Sequence, residues 1–191
     1  MARIDQSLFY SGTVKKYGKT AEGVAWRDAF RQKRRFDALL EAVGDLSGCT
    51  VVDAGCGFGD LWLHMKRRER LPGRYIGIDL LDMMVKEARK RTGQRIFRRD
   101  LLKDPLPRAD WYLASGSLNL LTPFETILAV KRCFDASAVG CAFNLLKGEE
   151  RHGIYNYWTP RRILRTLRPL GRAEVVEGYL EEDFTVVIRR G

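Results

Sequence analysis

The stretch Val51-Val52-Asp53-Ala54-Gly55-Cys56-Gly57-Phe58-Gly59-Asp60 restricts what this chain can become more than any other. Thr50 to Ala54 is short, apolar and β-branched, with a single acid inside it. Such a run predicts a buried strand of a parallel sheet. Glycines then alternate at Gly55, Gly57 and Gly59, and a helical pattern opens with Leu61, Leu63, His64 and Met65. Strand, glycine turn and helix together let a ligand lie directly on backbone. Residues without a Cβ reach positive φ and admit close approach. A helix start adds N–H groups that have no partner inside the helix.

The glycine spacing narrows the ligand. A dinucleotide fingerprint needs Gly-x-Gly-x-x-Gly, and that frame places Asp60 where its third glycine belongs. An acid at a helix start disfavours a pyrophosphate and suits a ligand that carries an ammonium group. The acid in the strand, the Gly-x-Gly-x-Gly turn and the helix resemble motif I of the class I S-adenosylmethionine-dependent methyltransferases. A glycine turn that binds nothing is the plainer alternative.

The rest of the chain reads as alternating strands and helices. Residues 4–19 look irregular, and a helix is predicted over Ala21–Val43, with Trp26, Phe30, Phe36, Leu39 and Leu40 on one side. Strands are predicted at Arg74–Asp79, Arg95–Arg98, Asp110–Ser115 and Val139–Leu146, with helices at Asp60–Glu69, Leu80–Arg91, Pro123–Phe134 and Pro160–Leu167. Thr122-Pro123 and Thr159-Pro160 are each a cap followed by a proline at the first helical position. The tail alternates as two strands, 172–179 and 184–190, with no helix between them, so they must be antiparallel. The expectation is an α/β fold: a Rossmann-like, seven-stranded, mostly parallel sheet with helices on both faces and an antiparallel last strand. The likeness to the class I sheet covers about Gly48 to Arg190. The chain reads as a single methyltransferase domain, with residues 1–47 as an N-terminal lid region and 48–191 as the core.

Ligands of such sheets bind beyond the carboxyl ends of the strands. In the resembled family the turn of Gly55, Cys56, Gly57 and Gly59 cradles the methionine half of the cofactor, with Asp53 near its ammonium. The resemblance implies that Asp79, ending the second strand, accepts from the ribose hydroxyls and that Leu80 packs on ribose or adenine. A helix cap is the structural alternative for Asp79. Asp100 and Leu101 would meet the adenine, although a turn acid fits Asp100 as well. Ser115 and Gly116 would pass close to the sulfonium. Tyr17, Trp26 and Arg35 are lid candidates: an arginine suits the cofactor carboxylate, and a tryptophan face suits a sulfonium. An amphipathic packing helix explains them equally. Asn119, His152, Tyr155 and Tyr157 would flank the substrate pocket, and a packed loop is the alternative. The absence of Asn-Pro-Pro-Tyr argues against amino-group methylation of DNA adenine or protein glutamine. No catalytic base is assigned.

Composition limits the partners. The net charge of +10 comes mostly from arginines spread over several elements. Solvated helix faces explain it, and RNA is a possible partner. Cys49, Cys56, Cys133 and Cys141 contain no Cys-x-x-Cys pair, and His64 and His152 are the only histidines. A metal site or disulfide framework is therefore not expected. No apolar run approaches the ~20 residues that span a bilayer, no signal-peptide pattern opens the chain, and a cytoplasmic protein is expected. The leading reading is a methyltransferase that uses S-adenosylmethionine, yields S-adenosylhomocysteine and acts on a small molecule. The alternatives are a nicotinamide-dependent oxidoreductase and a methyltransferase-like RNA-binding or RNA-modifying protein.

Overall fold

The computed structural model describes residues 29–149 and 153–191, together with Gly12, Lys16 and Gly18. Tyr17, Trp26 and His152 lie outside the described residues. Helix α1 spans Ala29–Val43 and leads into β1, Thr50–Ala54. Then come α2 (Asp60–Arg67), β2 (Arg74–Asp79), α3 (Asp82–Thr92), β3 (Arg95–Arg98) and β4 (Ala109–Ala114). The chain closes with α4 (Pro123–Ala136), β5 (Ser137–Lys147), β6 (Tyr157–Trp158), α5 (Pro160–Leu167), β7 (Arg172–Val176) and β8 (Asp183–Arg189).

The strands form one sheet in the order β3-β2-β1-β4-β5-β8-β7, with β6 pairing onto β5. Pairing is parallel from β3 through β5, and β8 runs antiparallel to both β5 and β7. The strand order reverses between β1 and β4, which opens a crevice at their carboxyl ends. The eighth strand, β6, was not expected. It is two residues long, Tyr157 pairing with Leu146 and Trp158 with Lys147. So short a segment has no periodicity of its own to read.

Both faces of the sheet are covered. Val52, Ile78, Tyr112 and Phe143 pack with Ala129, Val130 and Phe134 of α4 and Ile163 and Leu167 of α5. On the other face Val51, Trp111, Leu113, Ala142 and Val187 pack with Phe36, Leu39 and Leu40 of α1, Leu61 and Met65 of α2, and Val85 of α3. Phe30 does not join that face and is 66% exposed. It precedes Phe36 by six residues, which sets it about 120° off the stripe in a helix of 3.6 residues per turn. Gln32 and Arg35 take the buried positions instead.

The helix ends follow local chemistry. Thr122 Oγ1 accepts from Glu125 N at 3.3 Å, and Glu125 Oε2 accepts from Thr122 N at 3.0 Å, closing a reciprocal cap with Pro123 at the first turn. Thr159 caps α5 from one side only, accepting from Arg162 N at 3.2 Å, again with a proline in the first turn. All four cysteines are free, with Cys56, Cys133 and Cys141 buried, as small hydrophobes would be. Several arginines are more than a solvated coat. Arg70 donates to Leu40 O and Gly44 O, Arg89 to Ile96 O, Arg132 to Leu101 O, and Arg190 to Ser137 O and Phe134 O. These guanidinium groups satisfy carbonyls in helix ends, loops and the edge strand β3. Among the described residues no helix is long and apolar enough to cross a membrane.

The reciprocal cap of α4 predicts a stability cost. Thr122→Ala should lose about 1 kcal/mol, read as a lower midpoint in urea unfolding. An unchanged midpoint would show that the cap contributes nothing.

Candidate functional site

The sheet's carboxyl edge carries a cavity of about 450 Å³, within the size range of small-ligand sites. Its floor is the glycine turn. Gly55 has φ +79°, and a Cβ built there would stand 2.3 Å from Ser117 Cβ. Any side chain would collide with the loop after β4 while holding a left-handed backbone. Gly57 also has positive φ, at 52°. The turn is pinned to β2, since Gly55 N and Cys56 N both donate to Ile78 O, at 2.8 and 3.0 Å.

Asp79 ties the turn down from the neighbouring strand. Its Oδ2 accepts from Gly57 N at 2.9 Å and its Oδ1 from Leu81 N at 2.9 Å. It is not the helix cap considered from sequence: α3 begins at Asp82 with Leu81 as its cap residue. The carboxylate is drawn instead across to the glycine turn. Burial raises its pKa, opposed by hydrogen bonds from the Leu81, Gly57 and Leu80 backbone.

Asp53 sits beneath the turn, 2% exposed, and accepts from Tyr75 Oη at 2.5 Å. Burial pushes its pKa up to about 7; the Tyr75 bond works the other way, and the charges of Asp79 and Asp60 add to the rise. Asp60 opens α2, held by Arg91 Nη2 at 2.7 Å and Gln32 Nε2 at 3.4 Å.

Helix α1 and the segment joining β7 to β8 close one wall. Arg35 Nη2 meets Asp183 Oδ1 at 2.5 Å, and Arg31 Nη1 meets Glu182 Oε2 at 2.9 Å. Burial raises the Asp183 pKa, against the lowering effect of Arg35. Beside this pair a polar cluster crosses the sheet. Ser115 Oγ donates to Asn144 Oδ1 at 2.7 Å, and Asn144 Nδ2 donates to Thr185 Oγ1 at 2.8 Å.

Of the residues singled out from sequence, Asp53, Gly55, Cys56, Gly57, Asp79, Leu80, Asp100, Leu101, Ser115 and Gly116 all line this cavity. So do Arg35, Asn119, Tyr155 and Tyr157. Gly59 does not; it faces α3, where a Cβ would stand 2.5 Å from Thr92 Cγ2. Its glycine serves helix packing and not the cavity. Arg31, Phe58, Leu121, Leu146, Lys147 and Glu182 also line the cavity and were missed. Leu146 and Lys147 end β5, so the strand-end rule that picked Asp79 would have found them. Arg31 and Glu182 carry no such signal, because only the fold brings α1 to that segment. Asp100 is bound in its own turn, with Oδ1 accepting from Leu102 N at 2.8 Å. Among the described residues no group of histidine, cysteine, aspartate and glutamate is placed to hold a metal.

Residues 51–140 match the family model described as a methyltransferase domain. The chain is 26% identical over 142 residues to a demethylmenaquinone methyltransferase of Lactococcus lactis, an alignment covering 72% of this chain. It spans less than half, 45%, of that relative's length. Among solved structures, magnesium protoporphyrin IX methyltransferase from Synechocystis PCC 6803 with bound SAH superposes with a TM-score of 0.68 at 17% identity, covering 83% of each chain. A DhpI-SAM-HEP complex superposes with a TM-score of 0.73 at 16% identity, covering 97% of this chain and 99% of that one. These superpositions establish the fold. With the sheet order and the match across residues 51–140, they make this chain similar to the class I S-adenosylmethionine-dependent methyltransferases.

Proposed function

We propose that the cavity binds S-adenosylmethionine across the ends of β3, β2, β1 and β4 and that the chain transfers its methyl group to a small-molecule acceptor. The observation that carries this reading is Asp79. A carboxylate has about four lone-pair sites; Gly57 N and Leu81 N each take one at 2.9 Å, and the Leu80 backbone also leans on the group, so its lone pairs are not exhausted. The remaining pairs suit two vicinal ribose hydroxyls, and the existing bonds hold the carboxylate still for them. The donor set around it fits the rest of the molecule. Leu80, Leu101 and Leu102 form an apolar slot beside Asp100 for the adenine. The bare backbone of Gly55 and Gly57 takes the amino-acid end, with Asp53 toward its ammonium and Arg35 toward its carboxylate.

When bound, the cofactor supplies an electrophilic methyl on a sulfonium. The chain's own residues hold the two reactants in line, which can account for much of the acceleration. The acceptor side is lined by Asn119, Leu120, Leu121, Leu146, Tyr155 and Tyr157. That wall is largely apolar with a few polar points, as small-molecule sites are. The relatives named for demethylmenaquinone and magnesium protoporphyrin IX support a small-molecule acceptor. A base is needed only if the acceptor is a poor nucleophile such as a hydroxyl.

Calorimetry with S-adenosylhomocysteine should give a micromolar dissociation constant, about −8 kcal/mol. Asp79→Ala should weaken it by roughly 1.5–3 kcal/mol, the scale of hydrogen bonds to a charged group. Binding of NAD with no binding of S-adenosylhomocysteine would overturn the reading.

Asp53 makes binding depend on pH. Its pKa in the folded chain, about 7, lies above the ~3.9 of an unfolded aspartate. The folded state therefore holds a proton that the unfolded state releases, and stability falls as pH rises between those values. An ammonium favours the ionised carboxylate, so binding expels that proton. Affinity for S-adenosylhomocysteine should rise from pH 6 to pH 8, and Asp53→Asn should flatten the profile. Tyr75, Asp79, Asp60 and Cys56 surround the carboxyl, so the asparagine variant is the control that isolates it. A profile unchanged by that substitution would assign the titration elsewhere.

A further inference from the structure

Ser115 and Asn144 stand at the carboxyl ends of neighbouring strands, and their hydrogen bond has a forced direction. Asn144 is fully buried. Its amide nitrogen faces Thr185 Oγ1 at 2.8 Å, Tyr179 Oη at 3.3 Å and the carbonyl oxygen of Arg35 at 3.5 Å. A carbonyl oxygen only accepts, so the NH2 must lie on that side. The hydrogen of Thr185 goes to Tyr179 Oη at 3.1 Å, which leaves Thr185 to accept from Asn144. Turning the amide over would bring its oxygen against the Arg35 carbonyl oxygen, two acceptors with no hydrogen between them. Asn144 Oδ1 is thus fixed toward Ser115, whose hydroxyl donates to it at 2.7 Å. A serine hydroxyl has one hydrogen. With that hydrogen committed, Ser115 Oγ presents only lone pairs to the cavity it lines.

The sheet also sets what stands opposite. Val51, Leu113, Ala142 and Val187 share one face of the core. Asp53, Ser115, Asn144 and Thr185 each lie two residues along their strands from one of these, so they share that face. β1 and β4 are neighbours, with Asp53 paired to Leu113. The Asp53 carboxyl and a neutral acceptor therefore flank the same stretch of cavity, while Arg35 lies on the α1 wall.

We infer that Ser115 Oγ is an acceptor-only partner for the ammonium of the cofactor's amino-acid end, opposite Asp53, and that Asn144 is the positioning residue that fixes its polarity. The inference rests on the cofactor reading above. It gives the amino-acid end one orientation, ammonium toward Asp53 and Ser115 and carboxylate toward Arg35. A carboxylate turned toward Ser115 would meet lone pairs only.

The test compares two ligands by calorimetry: S-adenosylhomocysteine, and 5′-methylthioadenosine, which keeps the adenosine and the thioether and has no amino-acid end. Ser115→Ala should weaken S-adenosylhomocysteine by roughly tenfold or more, the scale of a hydrogen bond to a charged donor, and leave 5′-methylthioadenosine unchanged. Asn144→Leu should show a smaller loss with the same selectivity; if that variant does not fold, Ser115→Ala decides alone. Equal loss on both ligands, or loss on neither, would overturn the inference while leaving the cofactor reading in place. Wild-type protein that binds neither nucleoside would overturn both.

Discussion

The bond between the Asp79 carboxylate and the Gly57 amide is the constraint on which the site depends. It joins the end of β2 to the turn after β1 at 2.9 Å, and it does so from a half-buried acid whose charge costs free energy to desolvate. The turn reaches that amide only because Gly55 and Gly57 hold positive φ. The remaining elements settle around it. Ser117 closes over Gly55, donating to Ala54 O at 2.7 Å. Phe58, Leu81 and Met84 form a small apolar cluster on the other side of the turn. One carboxylate thus orders a loop, enters the first turn before α3 and keeps lone pairs for a ligand.

The polar groups on the α1 face of the sheet form a second layer of the same design. Asp53 with Tyr75, Ser115 with Asn144, and Arg35 with Asp183 follow one another across β1, β4, β5 and β8. Each has a partner, and all but the half-buried Ser115 are buried. Deeper in the sheet the same face is apolar, with Val51, Leu113 and Ala142 packed under α1. The change from apolar to polar occurs over two residues along each strand, near the carboxyl edge of the sheet. It marks where packing gives way to ligand chemistry.

The strands and the glycine turn were legible because local pattern suffices for them. Val51-Val52 is β-branched and apolar, and Thr122-Pro123 is a cap with a proline, so each element announces itself within a few residues. Strand ends then located Asp79, Asp100 and Ser115, all in the cavity wall. That Gly59 packs against Thr92 and does not line the cavity was illegible, because one dimension cannot separate a glycine on a cavity wall from one that admits a helix. Phe30 was misplaced because a list of apolar residues is not yet a phase on a helix. Arg31, Glu182 and the Ser115–Asn144–Thr185 cluster were illegible for a different reason. Asn144 lies 29 residues from Ser115 and 41 from Thr185, and only the antiparallel return of β8 beside β5 brings them together.

The most direct test of this account is the crystal structure of the chain soaked with S-adenosylhomocysteine. The account predicts adenine beside Asp100 and Leu101, both ribose hydroxyls on Asp79, and the amino-acid end over Gly55 between Asp53 and Ser115. An empty cavity, or a nucleoside lying with its ribose away from Asp79, would contradict it.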